Sequence, residues 1–240
     1  MPHNPTSSRR HFLQLAGLAT IGMTASACAA PFARSEPALA AEPAVTTPDQ
    51  ALQRLLEGNQ RYATAKPAYP NLTVDRRTLL AQGQHPFALV FSCVDSRVPP
   101  ELVFDRGLGD LFVVRTAGHT LDDAVLGSIE YGVAELGIPL ILVLGHEKCG
   151  AVKATLEAVE NHTTAPDRIQ ALVRNITPAI EQSKGQPGDA LDNAVIANIM
   201  LMVERLKTTP MLMDALGKGQ LKILGARYDI DSGTVMLAGA

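Results

Sequence analysis

The sequence predicts an α/β fold with a mostly parallel central sheet flanked by helices, an N-terminal helical arm and a C-terminal antiparallel hairpin. Three short apolar runs carry this prediction, at residues 87–93, 111–114 and 140–144. They lack the polar alternation of a strand with one face in water, which is typical of strands buried on both faces of a parallel sheet. Helical patterns separate or follow the runs. A chain of 240 residues with 46% hydrophobic content can build the core of one domain, or at most two.

The predicted arm begins with a helix-start signal. Thr47 can cap a helix whose first residue is Pro48, and apolar side chains then recur near one face as far as Tyr62. A second, shorter helix is expected over residues 74–82 and ends at Gly83. The strands of the sheet are expected to begin after this helix.

The remaining elements follow from the same two periodicities. Helices are predicted at residues 122–136, 149–160, 167–182 and 189–207. The hairpin is predicted to pair residues 221–228 with residues 234–237 across a turn at residues 229–233. Because no internal repeat divides the chain, we interpret residues 41–240 as a single domain.

The first forty residues resemble an export signal. Arg9 and Arg10 precede a modestly apolar stretch, residues 15–30, in which Gly, Ala, Thr and Ser dilute Leu and Ile. A twin-arginine pair before such a stretch is the signal of a bacterial pathway that exports folded proteins. The twin-arginine translocase is therefore an expected partner, and the expected location is the periplasm or another exported site. The alternative is a membrane anchor, but no stable span is expected, because a spanning helix needs about 20 predominantly apolar residues.

This segment is expected to be cleaved from the chain. Residues 38–40, Ala-Leu-Ala, have the small-x-small form of a cleavage site, and residues 25–27 are a second candidate. The first choice gives a signal peptide at residues 1–40 and a domain at residues 41–240. Cys28 follows the second candidate and faintly resembles a lipidation site, which is the alternative to its removal with the signal.

Charge and cysteine usage limit the classes of partner. The formal charge of −3 and the lack of a basic run in the body of the chain argue against nucleic acid, so small molecules are the expected ligands. Three cysteines without a CxxC pair form neither a disulfide framework nor a thioredoxin-type motif. Each thiol therefore needs its own explanation.

A cluster of potential metal ligands is expected where two predicted strands end. The run at residues 87–93 ends in Cys93, and the run at residues 140–144 is followed by His146 and Cys149. Ligands collect outside the carboxyl ends of strands in open α/β sheets, so two thiols and an imidazole can meet there. Cys2His is a ligand set of catalytic zinc that leaves a fourth position for water, and soft thiolates favour zinc over magnesium or calcium.

Asp95 and Arg97 alternate with Cys93 along the chain. If the extended conformation continues past the strand, the three side chains project to one side, because side chains of a strand alternate between its faces. The alternatives are a disulfide between Cys93 and Cys149, a cap at Asp95, a surface charge at Arg97 and a buried, hydrogen-bonded His146 without a metal. The joint pattern favours a metal site, because the alternatives leave the neighbouring groups unexplained.

Together, these motifs resemble the β-class carbonic anhydrases. Residues 93–97 match the family's CxDxR signature and residues 146–150 its HxxCG signature, in the family's order and separation, and the similarity extends from about residue 52 to residue 230. The resemblance implies hydration of CO2 to bicarbonate by a hydroxide on zinc, with one Zn²⁺ per chain. The residues that match the zinc ligands are Cys93, His146 and Cys149. Those that match a dyad orienting the nucleophile are Asp95 and Arg97.

The resemblance also implies a substrate pocket and an oligomer. Gln84 falls where plant-type members place a glutamine that binds substrate, and Phe112 and Tyr131 fall at that subgroup's apolar and aromatic pocket positions. Members form homodimers or larger assemblies such as tetramers, with pocket residues crossing the interface, so Gln84 is expected to serve the neighbouring subunit. A regulated subgroup uses a tryptophan and lets the aspartate swing onto zinc. This chain has no tryptophan, which favours the open site.

Two other functions share parts of the pattern. A related zinc hydrolase of another small heterocumulene, such as carbon disulfide, uses similar ligands behind a narrower tunnel. A non-catalytic zinc-binding protein could keep the fold without the activity. The Asp95 and Arg97 pair favours catalysis, and the match at the three pocket positions favours CO2. For the product proton, His119 and His85 are candidate relays, and direct transfer to buffer is the alternative.

Overall fold

The structure is a computed structural model and describes residues 45–239. Its helices are α1 (Pro48–Ala63), α2 (Val74–Leu80), α3 (Pro100–Val103), α4 (Asp123–Ala134), α5 (Gly150–Glu160), α6 (Ile169–Ser183), α7 (Ala190–Lys207) and α8 (Pro210–Gly217). Its strands are β1 (Ala88–Cys93), β2 (Leu111–Thr116), β3 (Leu140–His146), β4 (Lys222–Tyr228) and β5 (Val235–Ala238). A short 3-10 helix, Ala117–His119, follows β2. The predicted export signal, its cleavage sites and Cys28 lie outside the described residues.

The strands form one five-stranded sheet in the order β2-β1-β3-β4-β5. The pairs β1–β2, β1–β3 and β3–β4 are parallel, whereas β5 runs antiparallel to β4. The predicted mostly parallel sheet with a C-terminal antiparallel pair is therefore confirmed. Because β1 and β3 are parallel neighbours, their carboxyl ends meet at the same edge of the sheet.

Helices cover both faces of the sheet, and the side chains of β1 alternate between the two cores. Leu89, Phe91 and Cys93 belong to the larger core, which includes side chains of α4, α5, α6 and α7. Val90 belongs to the opposite core, which includes side chains of α1 and α3. Burial on both faces explains why β1 and β3 are apolar without alternation. Each large aliphatic side chain buried in this way stabilises the fold by about 1.5–3 kcal/mol.

The helical arm begins at the predicted cap. Gln50 N–H donates to Thr47 Oγ1, and Thr47 N–H donates to Gln50 Oε1. Both donor–acceptor distances are 3.2 Å, and the two residues form a capping box. Further along α1, the Asn59 side chain donates to the carbonyls of Val103 and Gly233 at 3.0 and 2.9 Å. The arm is thereby fastened to both α3 and the C-terminal hairpin.

The structure adds three short helices to the prediction, and several of the predicted helices are shorter than expected. The predicted second helix ends at Leu80 rather than at residue 82. The helices α3 and α8 and the 3-10 helix were not predicted, because elements of three to eight residues leave too few turns for a hydrophobic period to be visible. Among the helices of the described residues, none combines the length and apolar character needed to cross a membrane.

Candidate metal centre and active site

Three potential metal ligands converge at the carboxyl end of the sheet. Cys93 is the last residue of β1, His146 is the last residue of β3, and Cys149 is the N-cap of α5. Because Ser92 pairs with Leu144 across the two parallel strands, the chain brings the strand ends side by side. The two sulfur atoms and one imidazole nitrogen all lie within 4.8 Å of one another, and all three residues are buried.

The environment of His146 fits a metal ligand. Its Nδ1 lies 2.8 Å from the carbonyl oxygen of Glu147, which can only accept, so Nδ1 carries the proton and Nε2 the lone pair. Nε2 is buried and has no hydrogen-bond partner. A buried imidazole acceptor between two thiols would be costly unless a cation used its lone pair. Two thiolates and one imidazole form a soft donor set that suits zinc, with one tetrahedral position left over.

The two thiols influence each other's charge strongly. A hydrogen bond from Cys149 lowers the pKa of Cys93 to about 3, although burial acts in the opposite direction. The same interaction, together with burial, raises the pKa of Cys149. Burial opposes charge on His146, but the Cys93 thiolate and the Glu147 carbonyl raise the pKa of His146 overall. Cys93 is therefore the thiol that ionises more readily, and metal binding must release the protons that the ligands still carry. Both cysteines are free thiols in the structure, which differs from the disulfide alternative.

Asp95 and Arg97 form an ion pair beside these ligands. Arg97 Nε donates to Asp95 Oδ1 at 2.9 Å, and Arg97 Nη2 donates to Asp95 Oδ2 at 2.8 Å. The Arg97 side chain lowers the pKa of Asp95 to about 2, against the effect of partial burial. Asp95 Oδ2 lies 3.8 Å from His146 Nε2, so an ionised carboxylate borders the metal ligands.

The expectation that a continuing strand places Cys93, Asp95 and Arg97 on one side is wrong. The strand ends at Cys93 and does not continue in an extended conformation to Arg97. Instead, the chain turns: Arg97 N–H donates to Asp95 Oδ1 at 3.0 Å, and Val98 N–H donates to the Asp95 carbonyl at 3.0 Å. This turn, capped by the aspartate side chain, folds the guanidinium back over the carboxylate. The Asp95 carboxyl group therefore caps the turn, as one alternative proposed, and also forms the ion pair with Arg97.

Sequence reasoning missed Arg115, which braces this turn from β2. Its Nε donates to the Cys93 carbonyl at 2.8 Å, and its Nη2 donates to the Asp95 carbonyl at 2.7 Å. One rigid guanidinium therefore fixes the main chain on both sides of Val94. The only signal in the sequence is a charged residue inside an apolar strand, which does not by itself reveal a partner.

The segment from His146 to Cys149, which carries two of the metal-ligand candidates, is held by the C-terminal hairpin. Glu147 N–H donates to the Tyr228 carbonyl at 2.9 Å, and the ammonium of Lys148 pairs with Asp231 at 2.8 Å. Lys148 has a φ of 53°, and its carbonyl accepts from Arg97 Nη2 at 3.3 Å. The left-handed residue thus connects the His146-to-Cys149 segment with the Asp95–Arg97 pair.

The two candidate proton relays have different environments. His119 is fully buried, and burial lowers its pKa to about 4, so it stays neutral and has no direct path to solvent. His85 is exposed in the loop before β1. The burial of His119 argues against its serving as the last group that passes a proton to water.

The three residues expected in the substrate pocket fall into two groups. Phe112 in β2 and Tyr131 in α4 have ring centroids 6.4 Å apart, and Tyr131 is 51% exposed. Gln84 is exposed and lines a shallow cavity with Arg77 and Gly109, and no metal-ligand candidate lines that cavity. Within one chain, the structure therefore brings the two rings together but does not place Gln84 with the ligands.

Comparisons with known proteins agree with this geometry. The model of the family described as carbonic anhydrase matches residues 88–235. The chain is 41% identical over 193 residues to carbonic anhydrase 2 of Mycobacterium tuberculosis, which covers 80% of this chain and 93% of that protein. A carbonic anhydrase of Mycolicibacterium smegmatis is also 41% identical over 193 residues, with coverage of 80% and 94%.

Solved structures show the same fold. The β-carbonic anhydrase CcaA superposes with a TM-score of 0.64 at 29% identity, over 78% of this chain and 94% of that one. A tetrameric β-carbonic anhydrase of Sordaria macrospora superposes with a TM-score of 0.63 at 23% identity, over 80% and 98% of the two chains. With the CxDxR and HxxCG residues gathered at one sheet edge, these similarities lead to one conclusion: the chain belongs to the β class of the carbonic anhydrase family.

Proposed function

We propose that this protein catalyses the reversible hydration of CO2 to bicarbonate and a proton, with one zinc ion held by Cys93, His146 and Cys149. The observation that carries the proposal is the convergence of these three ligand atoms within 4.8 Å beside an ionised carboxylate. When bound, zinc lowers the pKa of a coordinated water from about 15.7 to about 7, which supplies hydroxide as the nucleophile at ordinary pH.

Asp95 and Arg97 orient the nucleophile. An ionised carboxylate can only accept hydrogen bonds, so Asp95 accepts a hydrogen bond from the O–H of the attacking oxygen. The lone pair of that oxygen stays free to attack the carbon of CO2. Arg97 donates to both oxygens of Asp95, which keeps the carboxylate ionised and fixed in direction. The main-chain bonds from Arg115 hold the turn that carries both groups.

We assign the substrate pocket to Phe112, Tyr131 and a Gln84 from a neighbouring subunit. The contact between the two rings supplies an apolar surface of the kind that CO2 needs. Gln84 lines a cavity that none of the metal-ligand candidates of its own chain lines, which favours its use across an interface.

The assembly is therefore proposed to be a homodimer or tetramer. Support comes from apolar side chains that are exposed on and around α2 and α3: Tyr69, Leu72, Val74, Leu79, Leu102 and Leu108. A group of this kind on a protein of this size is typical of an interface. We propose that a second copy of this chain covers these residues. Most of them lie on the helical arm, which directly precedes Gln84.

The exported location is proposed from the sequence alone. Arg9 and Arg10 before a weakly apolar stretch support transport by the twin-arginine translocase, with removal of residues 1–40. That pathway carries folded proteins, which suits a chain that acquires its metal in the cytoplasm.

Stopped-flow CO2 hydration tests the catalytic proposal. The mature protein should hydrate CO2 rapidly with one zinc per chain, and Cys149→Ser and His146→Ala should lose both zinc and activity. His162→Ala changes an exposed histidine away from the site and serves as the control. Full zinc occupancy without hydration at neutral and alkaline pH would contradict CO2 as the substrate; turnover of carbon disulfide, or none, would then separate the hydrolase from the non-catalytic alternative.

A further inference from the structure

One of the metal-ligand candidates receives a hydrogen bond from the main chain of another segment. Gly118 N–H lies 3.3 Å from the Sγ of Cys93 and donates to it. Gly118 has a φ of 64°, and a Cβ at this position would lie 2.7 Å from Ile176 Cδ1. Only glycine combines this backbone conformation with so close an approach of neighbouring side chains.

The turn that presents this N–H includes a second left-handed residue. His119 has a φ of 42°, which is uncommon for a residue with a side chain. Such a conformation persists only where the surrounding structure holds it. The groups that contact the turn directly therefore help to hold it.

One group that contacts both residues of this turn is Asn198, in the middle of α7. Its Nδ2 lies 2.9 Å from the Gly118 carbonyl and 2.9 Å from His119 Nε2, so one amide contacts both left-handed residues. Asn198 is 0% exposed, and on α7 its buried neighbours include Val195 and Ile199. A buried amide on an apolar helix face is costly unless it is hydrogen-bonded, so packing alone does not account for an asparagine there.

We propose that Asn198 is a positioning residue of the metal centre, which holds the Gly118–His119 turn so that Gly118 N–H donates to the Cys93 thiolate. The inference rests on the proposed zinc site. A hydrogen bond to a thiolate stabilises and orients the deprotonated sulfur that a metal requires, and it also limits the charge that the sulfur donates. Asn198 therefore affects both how tightly the site binds metal and how much charge Cys93 donates to it. With two thiolate ligands, limiting that donation also preserves the acidity that the metal gives to water.

Metal affinity and cobalt spectroscopy test the proposal. Asn198→Ala and Asn198→Asp remove the amide donor, and the second keeps the size of the side chain. Zinc affinity, measured by competition with a chelator, should fall roughly 10- to 100-fold. The thiolate-to-cobalt charge-transfer band of the Co²⁺-loaded protein should shift, because the sulfur has lost a hydrogen bond.

Asn59→Ala is the matched control. Asn59 is a buried asparagine that also bonds main-chain groups, but it fastens the arm rather than the ligand turn. Its loss should weaken folding while zinc affinity and the cobalt band of the folded protein stay unchanged. If the Asn198 variants bind zinc as tightly as wild type and keep its cobalt band, Asn198 is only a structural residue and the inference is wrong.

A measurement on the wild-type chain does not depend on any variant folding. In the protein loaded with ¹¹³Cd, a scalar coupling between the metal and the Gly118 amide proton should be detectable through the N–H···S bond. If no coupling appears, the proposed bond does not form in the loaded site. Wild-type protein that binds no zinc would instead overturn the proposed function, whereas normal zinc and hydration with unaffected Asn198 variants would overturn the inference alone.

Discussion

At the scale of single residues, the chemistry depends on groups whose charge and direction are set by a few short contacts. The lone pair of His146 is directed by one bond to a carbonyl, and the carboxylate of Asp95 by two bonds from Arg97. Each contact is between residues no more than two positions apart. The local chain therefore sets the charge and direction of these two groups, and the sheet brings them together.

Loss of the dyad should abolish turnover without loss of metal. We expect Asp95→Asn and Arg97→Ala to keep one zinc per chain, because neither residue belongs to the ligand set. Their kcat for CO2 hydration should fall by at least about 100-fold, since the nucleophile loses its orientation. Metal analysis and stopped-flow kinetics measure the two effects. Asp192→Asn, which breaks the separate ion pair with Arg227, is the control, and a wild-type kcat in either dyad variant would refute the assigned role.

Arg115 should be needed for a high rate of CO2 hydration, although it lies in the edge strand β2. Arg115→Ala leaves the carbonyls of Cys93 and Asp95 without their donor, so kcat should fall by roughly 100-fold while zinc is retained. Arg115→Lys should restore only part of the rate, because an ammonium cannot reproduce the planar fork. Arg205→Ala removes an arginine that bonds another main-chain carbonyl, that of Leu121. Equal rates in the Arg115→Ala and Arg205→Ala variants would show that the brace is dispensable.

At the scale of elements, close packing of α7 on the sheet positions Asn198, which contacts the turn beside the metal-ligand candidates. A Cβ at Gly145 in β3 would lie 2.5 Å from Ile199 Cδ1, and one at Gly225 in β4 would lie 2.6 Å from Ile199 Cγ2. The two glycines therefore make room for Ile199 against the strands. Since Asn198 is the adjacent residue of α7, this approach also sets its distance from the Gly118–His119 turn.

The connection between the arm and α3 should be sensitive to acid. Burial alone would raise the pKa of Asp105, but bonds from Ala68 N–H, Arg61 and Tyr69 N–H lower it overall. A carboxyl group whose pKa is lower in the folded state stabilises the fold above its unfolded pKa of about 4, and this contribution is lost as the pH falls through the folded pKa.

Urea unfolding of Asp105→Asn measures this contribution. At pH 7 the variant should be less stable by about 1–3 kcal/mol, because the amide nitrogen cannot accept from the main-chain donors. The difference from wild type should shrink as the pH is lowered from about 4 towards 2. The exposed Asp123→Asn variant should show little change. A difference that stays constant over this range would mean that the charge of Asp105 is not what stabilises the arm.

At the scale of the whole molecule, the exposed apolar residues of the arm suggest that one chain is not the functional unit. Leu79→Glu places a charge on the proposed interface, where Leu79 is 68% exposed in the single chain. We expect light scattering after size exclusion to show a smaller assembly than for wild type. Hydration should decrease because Gln84 no longer reaches a partner site, while zinc stays bound by ligands of one chain.

A matched variant distinguishes an interface from general loss of solubility. Ile169 is 52% exposed on α6, away from the arm, so Ile169→Glu should leave mass and rate unchanged. If Leu79→Glu keeps the wild-type mass and rate, the arm is not the interface.

Export should depend on the arginine pair. Replacing Arg9 and Arg10 with lysine should retain the chain in the cytoplasm of a bacterial host that has the twin-arginine pathway. Fractionation measures the location, and mass spectrometry of the exported chain tests cleavage after Ala40. Arg34→Lys lies between the two candidate cleavage sites and should be exported normally. Periplasmic accumulation of the double lysine variant would contradict the proposed route.

Much of the fold could be predicted from the sequence, because it depends on local periodicity. The apolar runs, the cap at Thr47 and the closing hairpin all fall where the pattern places them. The helices α3 and α8 were missed, because short helices leave no clear period. The order of the strands was not predicted, since it depends on pairing between distant segments.

The sequence by itself determined the class of chemistry. Two thiols, an imidazole, a carboxylate and a guanidinium in the CxDxR and HxxCG motifs specify a soft-metal site whatever the path of the chain between them. Only the tertiary structure decided which groups support that site. Arg115 lies about 20 residues from the carbonyls it braces, and Asn198 about 80 residues from the turn it holds. Such bonds join segments that meet only when the sheet and its helices have packed, and neither side chain carries a local pattern that names its partner.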